Sequence, residues 1–314
     1  MKTISRRILL QGLTTTAAAS ALSTTKAFAA PQVIRRVDGG KPRTIALMGD
    51  PSHNADAIRV SLDRIFKDLD LPIDYTTNYY DLSAELLKPY QMFLGFRDNF
   101  GVIENPGRFG EIGPQQAAES SQRAAGSIQG RQAAQGGAPR IGRTTEAWIT
   151  EEQGQAVKDF VSNGASFYSY HNNAFVSRSS KNYRDVQGGY ALSHPPLRPF
   201  KVRIINRDHP ITHDVKDFMV DDEQHYLIYD KDPKNILLNS ENIDGLTYTA
   251  NYPDPKDPNP QPKNWGTTSA SGWAHEYGKG RVAFTAMGHT IHAMWNPEYI
   301  KMQKNAIRWL LKMT

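Results

Sequence analysis

The chain has 314 residues, 37 basic and 32 acidic side chains, and no cysteine. That length suits one large domain or two small ones, with ample core. The lack of thiols excludes disulfides, thiolate metal ligands and a cysteine nucleophile.

The first element in chain order is a leader. Lys2 and Ser5-Arg6-Arg7 precede an apolar stretch from Ile8 to Leu22, and Ala27-Phe28-Ala29 supplies a small-x-small cleavage pattern. This predicts a cleaved twin-arginine export signal over residues 1–29. Thr14, Thr15, Thr16 and Ser20 dilute the stretch too far for it to span about 30 Å of hydrocarbon. Lys2, Arg6, Arg7 and Lys26 are the leader's only charges, so its removal leaves 33 basic against 32 acidic side chains. A nearly neutral remainder gives no footprint for nucleic acid. The expected location is periplasmic or secreted, with the Tat translocase as a partner during export and no stable membrane insertion. The absence of thiols is consistent with such oxidising surroundings.

After a polar lead-in at 30–43, one α/β domain is expected over 44–314. Thr44 to Met48 reads as a buried strand ending in Gly49-Asp50-Pro51, and Ala55 to Leu69 has helical apolar spacing at Ile58, Leu62, Ile65, Phe66 and Leu69. Strands at 73–76 and 91–96 flank a short helix at 82–87, the alternation of a parallel sheet. Residues 107–143 interrupt it with a Gly-, Gln-, Ala- and Arg-rich insertion that has too little apolar surface to order itself. It reads as a disordered surface loop or a lid over a site. Thr150-Glu151-Glu152-Gln153 then looks like a capping box opening a helix to Ser162. Strands follow at 165–170, 202–206 and 281–285, with antiparallel pieces expected at 236–239 and 246–249. Pro297 opens a last amphipathic helix.

Three histidines follow strands: His53 the first, His171 the strand at 165–170, His289 the strand at 281–285. Open parallel sheets bind ligands beyond the carboxyl ends of their strands, so this placement points to one rim. Each histidine alone is an ordinary turn or packing residue. The spacings His209-x-x-x-His213 and His289-x-x-His292 suggest metal ligands, although His209 stands in a His-Pro turn, where capping is the simpler role. Trp265, Trp273 and Trp295 offer aromatic faces. Most such residues belong to cores, and Trp295 is the one retained as a platform for a sugar ring. No Gly-x-Ser-x-Gly elbow, Walker loop or Gly-x-Gly-x-x-Gly motif occurs, which argues against serine hydrolysis and nucleotide use.

Four segments together resemble the ThuA-like (trehalose utilisation) family. They are Gly188-Gly189-Tyr190-Ala191-Leu192-Ser193-His194-Pro195, Asp208-His209-Pro210-Ile211-Thr212, Asp222-Glu223-Gln224-His225-Tyr226, and Tyr277-Gly278-Lys279-Gly280-Arg281-Val282 followed by Met287-Gly288-His289. The likeness runs over roughly 150–313, more weakly over 44–96. It implies a flavodoxin-like, class I glutamine amidotransferase-like fold, a mostly parallel sheet with helices on both faces. It also implies a carbohydrate substrate, an oxidised (keto) sugar or disaccharide derivative. Amidotransferases carry a nucleophilic Cys after a strand where this chain has Tyr170-His171, so that chemistry is excluded.

The resemblance carries the family's polar positions onto His171, His194, Glu223 and His289. Glu223 is the only carboxylate among them, hence the candidate general acid or base, with His171 and His289 as catalytic partners. His194, His53, Trp295 and Tyr226 make up the expected substrate-binding set. His171, His194 and His289 with the carboxylate would suit a divalent metal such as zinc. The expected function is acid–base or metal-assisted chemistry on a sugar. The alternative is a non-catalytic periplasmic sugar-binding or scaffold protein with a degenerate amidotransferase-like site.

Overall fold

Thr44–Met48 is buried at all five positions, as a short apolar run becomes only inside a sheet covered on both faces. The computed structural model describes residues 43–102, 143–245, 247 and 266–313, with the backbone of short strands at 34–35, 249–250 and 263–264. The expected signal at 1–29, most of the lead-in at 30–43, nearly all of the insertion at 107–143 and Trp265 lie outside the described residues. No described helix is long and apolar enough to cross a membrane.

In chain order the strands are β1 (Ile34–Arg35), β2 (Thr44–Met48), β3 (Ile73–Thr76), β4 (Met92–Phe96), β5 (Phe100–Val102), β6 (Arg143–Ala147), β7 (Ser166–Tyr170) and β8 (Gly189–Ser193). They continue as β9 (Arg198–Ile204), β10 (Phe218–Asp222), β11 (Tyr226–Tyr229), β12 (Ile236–Asn242), β13 (Thr249–Ala250), β14 (Lys263–Asn264), β15 (Thr268–Tyr277) and β16 (Gly280–Thr285). Ten of them form one sheet in the order β1-β3-β2-β4-β7-β16-β15-β12-β9-β10. The run from β3 to β16 is parallel throughout, a flavodoxin-like core. From β16 outward to β10 every pairing is antiparallel.

Helices begin where local chemistry starts them. Asn54 caps Ala55–Asp68 by accepting from the Ala57 amide, and Thr150 and Gln153 form the reciprocal box before Glu151–Ser162. Asn296 caps Pro297–Leu310, with proline in the first turn. Helices Ala55–Asp68 and Pro297–Leu310 pack Ile58, Leu62, Phe66, Met302, Ile307 and their neighbours into one apolar cluster. Glu151–Ser162 contributes Val157 and Val161 to a second, with Ile45, Phe93 and Phe167. Alternate residues of β2 and β4 enter different clusters, Ala46 and Leu94 the first, Ile45 and Phe93 the second. The two clusters therefore lie on opposite faces of the parallel strands.

The antiparallel half is longer than the apolar runs suggested. β9 begins at Arg198 rather than 202, β12 reaches Asn242, and the strand expected at 246–249 comprises Thr249–Ala250 among the described residues. β15, TSASGWAHEY, has no alternating apolar signature. It works as a strand because small residues admit its neighbours. A Cβ at Gly272 would stand 2.7 Å from Leu238 Cδ1.

Candidate functional site

The four central strands β2, β4, β7 and β16 run in parallel, so the segments leaving them meet at one edge. His53 closes the turn after β2 and His171 follows Tyr170 of β7. His289 lies four residues beyond β16, and Asp222 ends β10 with Glu223 next. His171 adopts φ 46, a left-handed backbone disfavoured for a residue with a Cβ. Gly288 permits its approach, since a Cβ there would come within 2.8 Å of His171 Cβ and 2.7 Å of Phe96.

Glu223 Oε2 is the centre of the cluster. His289 Nδ1 lies 3.2 Å from it, His171 Nε2 3.5 Å, His194 Nε2 3.6 Å and His225 Nε2 3.7 Å. His289 Nδ1 also faces His53 Nε2 at 3.1 Å. Behind His53, Nδ1 donates to Asp50 at 2.9 Å, and Asn172 Nδ2 donates to the other oxygen of that carboxylate at 2.6 Å. Asp222 is fully buried and accepts from the amides of Gly288 (2.7 Å), His289 (3.0 Å) and Glu223 (3.0 Å). One carboxylate thus fixes the backbone that carries two of the site residues.

The hydrogen bonds on the far side of each ring decide what faces the carboxylate. His171 Nδ1 lies 2.7 Å from the Ala286 carbonyl and His194 Nδ1 3.0 Å from the Pro195 carbonyl. A carbonyl only accepts, so Nδ1 holds the proton and Nε2 of the neutral ring presents a lone pair to Glu223. Burial pushes the His171 pKa down against the pull of Glu223, and pushes His225 well below its usual value. Burial would raise the Glu223 carboxyl, but the imidazoles of His171, His225 and His289 packed around it outweigh burial and hold Glu223 far below the usual carboxylate range. His289 is shifted up, chiefly by Glu223.

Neutral imidazole lone pairs converging on an ionised carboxylate repel one another unless a cation stands among them. The geometry fits one. Ligands at about 2.0–2.1 Å in a tetrahedron lie roughly 3.3–3.4 Å apart. The His53–His289, His289–Glu223 and His171–Glu223 separations are 3.1, 3.2 and 3.5 Å. The ligand atoms of these four residues all lie within 4.8 Å of one another. The buried His171 Nε2 has no hydrogen-bond partner, and Ala286 and Asp50 supply the outer contacts that orient metal-binding imidazoles.

His53, His171, His194, Glu223 and His289 are thus brought together. Tyr226 and Trp295 are not. Tyr226 is buried in β11, with its hydroxyl donating to the Gly266 carbonyl. Trp295 is half-buried against the apolar core, and the Arg64 guanidinium lies 5.1 Å from its ring centroid, so that face is already covered. Trp273 is core, donating to the Gln187 carbonyl. His209 accepts from the Ile211 amide, the capping role expected of it, and His292 is exposed. Asp50, Asn172, Asp222 and His225 are the site residues that the sequence reading did not single out. Three were legible as neighbours: Asp50 in the turn after β2, Asp222 and His225 beside Glu223. Nothing in the spacing marked Asn172.

Residues 140–310 match the family described as trehalose utilisation, ThuA. A ThuA-like protein from Bacteroides uniformis ATCC 8492 superposes with TM-score 0.51 at 16% identity, over 87% of this chain and 93% of that one. One from Parabacteroides merdae ATCC 43184 gives 0.54 at 14% identity, over 87% and 91%. At these identities the likeness speaks for the fold. No curated protein matches the chain.

Proposed function

The chain belongs to the trehalose utilisation (ThuA) family, and on that premise we propose that it is an exported enzyme acting on an oxidised sugar or disaccharide derivative by metal-assisted acid–base chemistry. The observation that carries this reading is the crowding of four imidazole nitrogens within 3.2–3.7 Å of Glu223 Oε2. His53, His171, His289 and Glu223 would hold the ion. A bound divalent cation supplies Lewis-acid polarisation of a carbonyl or hydroxyl oxygen.

The chain's own groups do the rest. The imidazole contacts at 3.2–3.7 Å run through Glu223 Oε2, and Oε1 is the oxygen proposed to take a proton from a sugar hydroxyl or carbon. His194 and His289, with side chains 32% and 23% exposed, form the open rim where sugar hydroxyls would bind. Asp50 holds the His53 ring and Asp222 holds the backbone of Glu223 and His289, so the donors are positioned before substrate arrives. The Ser5-Arg6-Arg7 and Ala27-Phe28-Ala29 pattern, read as a twin-arginine signal, supports export by a route that carries proteins already folded.

The test is incubation of the processed protein with 3-keto-glucosides and plain disaccharides, with and without chelator, while products are followed. Consumption of a keto sugar is expected, abolished by chelator and reduced at least about a hundredfold in Glu223→Gln. Turnover of that variant at the wild-type rate would remove Glu223 from the chemistry. Sugars that raise the melting temperature without being consumed would make the protein a binder instead.

A further inference from the structure

We infer that Glu223 bridges two divalent cations, the second held by His194 and His225. This rests on the metal reading above and extends it, because two ligand sets share the one carboxylate. His53, His171 and His289 complete one set with Glu223, while His194 and His225 form the other with it.

His225 is the residue that a single ion leaves unexplained. It is 1% exposed, and neither ring nitrogen has a hydrogen-bond partner. Buried polar groups are almost always paired, so such a group calls for a ligand. Its ring is held in place, stacked on His171 with centroids 4.2 Å apart and met edge-on by Phe175 at 5.4 Å. Nε2 points to Glu223 Oε2 at 3.7 Å, and His194 Nε2 approaches the same oxygen at 3.6 Å. These separations are close to a tetrahedral edge between ligands of one ion.

The two sets differ in the way structural and catalytic sites differ. The first offers four protein ligands, which closes a tetrahedron. The second offers three, which leaves a position open. That position lies on the side where His194 is 32% exposed, so a substrate oxygen can reach it. The second ion therefore gives a sugar oxygen an open coordination position beside the ion held by the first set.

Metal stoichiometry tests this without recourse to activity. The purified full chain is stripped with chelator, dialysed against Zn²⁺ and analysed for bound metal. About two equivalents are expected, falling to one in His194→Ala and in His225→Ala. Circular dichroism and melting curves show whether each variant folds, and the half-exposed His194 keeps the test open if the buried His225 variant does not. One equivalent in the wild-type protein, unchanged in His194→Ala, would overturn the second site while leaving the single-ion reading intact. None at all would overturn both.

Discussion

Replacing Asp222 by Asn keeps the shape of the side chain and changes only what it can accept. In the native protein, Asp222 Oδ2 takes the Gly288 amide at 2.7 Å, and Oδ1 takes those of His289 and Glu223, each at 3.0 Å. The asparagine amide can satisfy the pair at Oδ1, and its NH₂ then faces the Gly288 N–H, donor against donor. A buried amide left without an acceptor costs about 1–3 kcal/mol. Loss of charge weakens the two remaining bonds as well. Some of this is returned, because burial raises the Asp222 pKa and the native carboxylate is held ionised at a cost. A net loss of about 2 kcal/mol follows, or roughly 4–8 °C in melting temperature for a domain of this size. The same change loosens the backbone under Glu223 and His289, which should weaken Zn²⁺ binding by roughly 10–100-fold. Urea unfolding and Zn²⁺ titration of Asp222→Asn measure both. Melting within about a degree of wild type, with unchanged Zn²⁺ affinity, would refute the assignment of Asp222 as the support beneath the site.

Gly288→Ala sets a Cβ 2.7 Å from Phe96 Cζ and 2.8 Å from His171 Cβ, so overpacking should cost about 1–3 kcal/mol and displace His171. Unfolding free energy and Zn²⁺ affinity are expected to fall together, and a variant that lost neither would place His171 outside the working site. His275 is 7% exposed, with Nε2 donating to the Val186 carbonyl, and burial lowers its pKa to about 4. The unfolded chain takes up this proton near pH 6.5, so the contribution of His275 is complete above that pH. It is lost as pH falls towards 4, by about 3 kcal/mol in all. The unfolding free energy of wild type minus that of His275→Gln should decline over this window, and a difference independent of pH would show that the imidazole is not held neutral.

Much of the scaffold was legible because local rules decide it. Thr150 and Gln153 announce a capping box that forms as read, and Pro297 stands in the first turn of the last helix. The runs read at 44–48, 73–76 and 91–96 became strands, the last starting at Met92, with every strand position buried. β15 escaped because Ser, Ala and Gly are chosen there for what they let approach, Leu238 at Gly272 above all, and contacts across a sheet leave no period in one strand. Tyr226 and Trp295 sit beside motif residues in the chain, but Gly266 and Arg64, brought in by the fold, occupy their working surfaces.

The sequence by itself determined which donors this protein has and that several stand just beyond strand ends. It also ruled out thiol chemistry, since there is no cysteine to perform it. Which nitrogen of each imidazole faces the carboxylate was decided only by tertiary structure. A ring's lone pair points away from whatever holds its proton. For His171 that partner is the carbonyl of Ala286, 115 residues along the chain, and for the amide carrying His289 it is the carboxylate of Asp222 on another strand. Such partners come from segments that meet only when the sheet is assembled, so no spacing in the chain records them.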